Sequence, residues 1–230
     1  MRGDCAAGGL GEEASPAEAG DAVCGKAGDF WPPVPRLWPG EPVAILAGGP
    51  SLPLAPVDRL RGRCRVIAVN NAFQAAPWAD LLYACDVKWW ERYRPDFAGL
   101  KVTQDARVLQ LRDDVLRVPS ERGAGLSLDP LRIRQGGNGG YQALNLAVHL
   151  SGGPVWLLGF DMKPDARGRR HWHDDHPRGL NNPDARCFAD WIENYRTTVP
   201  DLQRAGVAVF NASPGSALDA FPFRDIEELL

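Results

Sequence analysis

Three of the chain's four histidines fall within six residues, in His171-Trp172-His173-Asp174-Asp175-His176. Imidazole titrates near neutrality, so each of these side chains can take or give a proton at physiological pH. Clustered imidazoles and carboxylates can instead bind zinc and leave a position for water. Arg167, Arg169, Arg170 and Arg178 surround the cluster and would attract a phosphate or carboxylate. A loop that only solvates would not need Trp172.

The segment also matches HxHxDH, the zinc-ligand pattern of metallo-β-lactamase-fold hydrolases, but its context differs. That pattern comes directly off an apolar strand early in a chain and needs another histidine downstream. Here a polar run, Asp165 to Arg170, precedes it, and no histidine follows His176. The expectation is a base drawn from His171, His173 and His176, with no metal assigned. Spacing does not select one of the three. A weaker metal site is the other chemistry the loop allows. His149 lies within a helical pattern and is expected to pack or cap.

The second chemical signal is Ala44-Ile45-Leu46-Ala47-Gly48-Gly49-Pro50-Ser51. An apolar run fit for a buried strand ends in two glycines, a proline and a serine. Glycine there lets a ligand approach the backbone closely. Free N–H groups, the Ser51 hydroxyl and a following helix can cradle a phosphate. Gly136-Gly137-Asn138-Gly139-Gly140 repeats the theme just before a helical pattern.

The elements that must hold these groups alternate. Strand patterns cover Val43–Ala47, Arg65–Asn70, Asp80–Cys85 and Val155–Phe160, with a last one at Val207–Asn211. Weaker strands are expected at Arg107–Leu111 and Val115–Val118. Helices are expected at Val57–Arg61, through Trp89, Trp90 and Tyr93, within Gln135–Leu150, and over Ala185–Leu202. Trp89, Trp90 and Tyr93 read as packing rather than a stacking platform for bases. Alternation with fully apolar strands predicts an α/β fold. It is Rossmann-like, a mostly parallel sheet with helices on both faces, in a single domain over residues 41–230. Residues 1–40 are expected to form a disordered or extended arm, with the aromatics of 30–38 able to staple it down. Polar residues follow the apolar runs at Gly48–Ser51, Asn70, Asn71, Asp86, Asp161 and Asn211–Ser216. Strand ends are where open α/β sheets bind ligands.

With 230 residues, 44% of them hydrophobic, the chain can bury a sizeable core. A net charge of −3 argues against bulk electrostatic binding of nucleic acid. No apolar stretch is long enough to span a membrane. The N-terminal residues lack the apolar core of a signal peptide. Five scattered cysteines without a CxxC pair fit a reducing cytoplasm.

Several motifs together carry a resemblance. They are GGPSL, a strand ending in Asn70, GGNGGYQALNLAVHL, the strand ending LLGFD, the histidine loop and NASPGSAL. In this order they resemble bacterial sialyltransferases that use a CMP-sugar donor. They also resemble the MptE-like family of archaeal 6-hydroxymethylpterin diphosphokinase and relatives of flagellin-modifying glycosyltransferases. Small bacterial and prophage proteins share the HWH-x-DHP pattern after GFDMK. The resemblance spans roughly Pro42 to Phe221. It implies donor-nucleotide contacts at Gly48, Gly49, Pro50 and Ser51 and at Asn70 or Asn71. It implies a helix-opening turn at Gly139-Gly140, which lacks the family's serine, and contacts at Asp161, Pro214 and Ser216. It places the base on a loop histidine. The family's tyrosines at the departing phosphate have no match after Asp161.

The expected function is a nucleotide-binding transferase, most simply glycosyl transfer from a nucleotide-sugar donor, CMP-linked under the resemblance. A small-molecule or glycan hydroxyl would be the acceptor. One alternative is a pterin-type pyrophosphokinase using ATP and magnesium, with Asp86 and Asp161 as metal ligands. The other is a non-catalytic nucleotide-binding phage accessory protein.

Overall fold

Nine strands alternate with helices in a computed structural model that describes residues 31–230. In chain order they are β1 (Val43–Leu46), β2 (Arg65–Val69), β3 (Leu81–Tyr83), β4 (Leu100–Thr103) and β5 (Leu116–Arg117). Then come β6 (Ser120–Glu121), β7 (Ile133–Arg134), β8 (Val155–Leu158) and β9 (Val209–Asn211). The α-helices are α1 (Val87–Tyr93), α2 (Gly139–Leu150), α3 (Ala185–Arg196) and α4 (Val199–Ala205). Seven strands form one sheet in the order β5-β4-β3-β2-β1-β8-β9, and every pairing in it is parallel. β6 and β7 form a separate parallel pair.

The central strands are apolar throughout because both faces are covered. Val43 and Ile45 of β1 belong to one core, and Ala44 and Leu46 to the other. α2, Tyr195 and Leu202 cover the first face. α1, through Trp89 and Trp90, and short 3-10 turns cover the second. Trp89 and Trp90 are therefore core residues, as their spacing suggested. The expected fold class is present: a single α/β domain built on a parallel sheet. No helix among the described residues is long and apolar enough to cross a membrane.

Several expectations are corrected. Ala106–Gln110 is a 3-10 helix, because the Asp105 carboxylate accepts from Arg107 N–H and starts a turn. Strand β4, which lies between β3 and β5, was missed. The long helix expected over Ala185–Leu202 is two helices, α3 and α4. The Thr198 hydroxyl donates back to Tyr195 O at the break, and a proline opens α4. The expected arm over residues 1–30 lies outside the described residues. Residues 31–40 lie against the domain and turn at 37–40; Val34 and Trp38 are buried, and Trp31 N–H donates to Arg117 O.

His149 packs, as expected. It is buried in α2, its Nε2 3.1 Å from Arg132 O and 3.2 Å from Asn145 Nδ2. Burial holds its pKa below the ordinary value of 6.5. The unfolded chain therefore binds a proton near 6.5 that the folded chain takes only at lower pH. Between the two values acidification favours unfolding, because the unfolded state binds more protons. The histidines at 171, 173 and 176 shift the same way. Thermal denaturation should show the melting temperature falling between about pH 7 and about pH 5. His149→Gln, which has no group to protonate, should show a shallower fall. Equal slopes would remove His149 as a contributor.

Candidate functional site

From β1 the chain steps outward through β2, β3 and β4 to β5, then returns to lay β8 on the other side of β1. The order reverses between β1 and β8, and a crevice opens beyond their carboxyl ends. A cleft of about 120 Å³ occupies this place. Gly48 and Gly49, Asn70 and Asn71, Asn138 to Gly140, Asp161, and His171, His173 and His176 all line it. Residues from four separate strand and helix ends thus converge.

The turn after β1 is fixed from below. Ser51 N–H and Ser51 Oγ both donate to the Asp161 carboxylate, at 3.2 and 2.9 Å. Burial raises the Asp161 pKa, and the bonds from Ser51 oppose that shift. A Cβ on Gly49 would lie 2.0 Å from Asp161 Oδ2 and 2.3 Å from Gly159 O. Gly49 is therefore demanded by packing of the β1 turn against the end of β8. Gly48 differs. The nearest atoms to a Cβ there are His171 Nδ1 at 3.4 Å and His173 Nε2 at 3.9 Å. Neither glycine has a positive φ, so both act through space and not through backbone freedom.

Asn70 follows β2 with φ of 50°, and Met162 follows Asp161 with φ of 52°. Left-handed backbone in a non-glycine residue costs about 1–2 kcal/mol, and both residues line the cleft. Asn71 Oδ1 is already used, accepting from Trp89 Nε1 at 2.7 Å. Asn138 caps α2 by accepting from Tyr141 N–H, and its buried Nδ2 has no partner. Asn138, Gly139 and Gly140 thus bring the amino end of α2 to the cleft, an arrangement suited to anions. Lys163 and Arg170 also line it, and among the described residues Asp161, tied to Ser51, is the only acidic one in the lining.

The histidine loop is pinned over this floor. Trp172 N–H donates to Gly48 O, and the indole packs into the second core. That accounts for Trp172 and turns its two neighbours toward the cleft. His171 and His173 rings stack, with centroids 4.9 Å apart, and His176 is 4.9 and 5.0 Å from them. Asn182 clamps the turn, accepting from His176 N–H and donating to His176 O. Burial lowers the pKa of all three histidines. His176 is pushed down to about 4 by burial and by its two neighbouring rings. All three are neutral at pH 7, the form that accepts a proton or binds a metal.

Other expected site residues lie elsewhere. Pro50 and Ser51 are beneath the turn, outside the cleft lining. Pro214 is exposed, and Ser216 donates to Phe160 O, so that segment braces the end of β8 from behind. Asp86 lines a separate hollow with Lys88 and Arg107. Of the loop arginines only Arg170 reaches the cleft, where it also pairs with Asp175. Arg169 pairs with Asp165. Sequence reasoning missed Tyr93, whose hydroxyl is 3.0 Å from His176 Nδ1. It also missed Asn138, Lys163 and the clamp at Asn182. The Asn138 capping position before a helix was the one available signal; the Tyr93–His176 pair spans 83 residues and left none.

Compared with known proteins, the chain matches no family model and no curated sequence.

Proposed function

We propose that this cleft binds a nucleotide-activated donor and that the protein transfers the donor's group to a hydroxyl acceptor. The observation that carries the reading is the meeting of an anion-binding floor and a neutral histidine cluster at the sheet's reversal point. The floor is the Gly48 turn, Asn70 and the amino end of α2. Lys163 and Arg170 supply positive charge for the departing phosphate. The histidine cluster is where the acceptor proton is taken. For a nucleotide sugar, the acceptor oxygen bonds to the anomeric carbon as the bond from that carbon to phosphate oxygen breaks. The phosphate leaves with the electron pair. A CMP-linked sugar is the first donor to test, in keeping with the resemblance, and three free cysteines among the described residues suit a reducing cytoplasm.

The pyrophosphokinase alternative is disfavoured by placement. Its two proposed magnesium ligands do not meet, because Asp161 is buried against Ser51 and Asp86 faces another hollow.

The test is a melting-temperature screen with CMP- and UDP-linked sugars, free nucleotides, and ATP with magnesium. A ligand at 100 times its dissociation constant adds about 2.7 kcal/mol of stability. Gly48→Val places methyls over the floor beside His171, in space that a Cβ enters without a clash. It should fold and lose most of the ligand-induced shift. An unchanged shift in Gly48→Val would place the ligand elsewhere.

A further inference from the structure

Each histidine of the cluster has one ring nitrogen engaged by a neighbour. His171 Nε2 lies 3.2 Å from Asn182 Oδ1, His173 Nδ1 is 2.6 Å from Asp174 O, and His176 Nδ1 is 3.0 Å from the Tyr93 hydroxyl. The other nitrogen of each ring makes no hydrogen bond among the described residues. Asn182 Oδ1 and Asp174 O are acceptors, so the engaged nitrogens of His171 and His173 carry the protons. Their lone pairs are then on His171 Nδ1 and His173 Nε2. Those two atoms are the ones that face Gly48. One ring nitrogen from each of the three histidines lies within 4.8 Å of the others.

We propose that His171, His173 and His176 together bind one divalent transition metal of the zinc class, on the cleft side of the loop. Metal-binding histidines are characteristically held by a hydrogen bond at the second nitrogen, which fixes tautomer and ring direction. Here all three are held, by three different partners. A three-histidine set leaves a coordination position open for an oxygen ligand. Metal–nitrogen bonds of about 2.0–2.1 Å draw the rings closer together than they stand. The segment between β8 and α3 that carries them has no helix or strand to resist this. The aspartates of the segment stay out of the set: Asp175 pairs with Arg170, and Asp174 is exposed.

The consequence for chemistry rests on the transferase reading; the metal site itself does not. With the ion bound, no free imidazole remains as the base. The acceptor hydroxyl would bind the open position, its pKa would fall, and its proton would pass to solvent, leaving the oxygen's electron pair for attack.

The experiment uses the untagged full chain, stripped with chelator and titrated with cobalt(II). Visible absorption and elemental analysis after dialysis follow binding. The expected result is one cobalt per chain with the strong visible bands of a low-coordinate nitrogen site, displaced by zinc. His171→Ala, His173→Ala and His176→Ala should each abolish the bands. Tyr93→Phe, a milder change that keeps the ring, should weaken cobalt affinity by about 10- to 100-fold. No stoichiometric cobalt, or bands that survive in the folded histidine variants, would overturn the proposal. Nucleotide-induced melting shifts measured in chelator report separately on the transferase reading. A shift there without cobalt binding would refute the metal site and leave the cleft's ligand intact.

Discussion

Alanine in place of His171, His173 or His176 should lower donor turnover, by about 100- to 10,000-fold where the side chain lost is a general base. Donor binding should survive. The three rings stand over the cleft, neutral at pH 7 and clustered within 5.0 Å of one another by centroid. The floor that would hold a nucleotide is made by other residues, chiefly Gly48, Asn70 and the amino end of α2. Single alanine variants at His171, His173 and His176 therefore separate two quantities. The ligand-induced melting shift should persist in all three. If one variant alone loses turnover, a free imidazole is the base. If all three lose turnover together with bound metal, the cluster acts as a unit. Wild-type turnover in every variant would remove the histidines from the chemistry.

Gly49→Val should be the most damaging single change to stability in the site. A Cβ at this position has no room, with Asp161 Oδ2 at 2.0 Å and the Gly159 carbonyl at 2.3 Å. Neither neighbour yields easily. Gly159 is backbone at the end of β8, and Asp161 is held by the Ser51 bonds. Overpacking commonly costs ~1–3 kcal/mol and occasionally more, and the upper part of that range fits an encounter with backbone. At ~2–4 °C per kcal/mol for a chain of this size, a cost of ~3 kcal/mol lowers the melting temperature by roughly 6–12 °C. Gly48→Val, one residue away, should melt close to wild type. The contrast between the pair is the informative result. Equal loss in both would mean that the turn tolerates no side chain at either position. A Gly49→Val protein as stable as wild type would contradict the packing.

Much of the fold was legible because its central strands are short apolar runs with abrupt ends. Val43–Leu46 and Val155–Leu158 declare themselves by composition, and the residues after them mark the crevice. The amino end of α2 was legible too, as a glycine-rich turn before a helical pattern, although the cap that Asn138 supplies there was not read. Elements that depend on context were not. The RVLQL segment has the apolar content of a weak strand, but the local Asp105 carboxylate curls it into a 3-10 turn. β4 carries Lys101, which pairs with Asp114 near the sheet's edge, so its apolar signal is weak. Glycine was legible as a signal of close approach. What it approaches was not: a Cβ on Gly49 would meet Asp161 and the Gly159 carbonyl, whereas one on Gly48 would meet only the rings of His171 and His173. Ser51, Pro214 and Ser216 likewise lie near the site in sequence pattern yet serve its scaffold. The second nitrogens of the histidines find Tyr93 and Asn182 through tertiary structure alone.

On this reading a nucleotide-activated donor occupies the cleft between the ends of β1 and β8. Titration calorimetry with CMP- and UDP-linked sugars on wild type and on Gly48→Val addresses it most directly. Wild type should show saturable one-to-one binding, and the variant a dissociation constant at least ~10-fold weaker, a loss of ~1.4 kcal/mol or more. Absence of binding by every nucleotide-linked donor to folded wild type, or equal affinity in the two proteins, would contradict it.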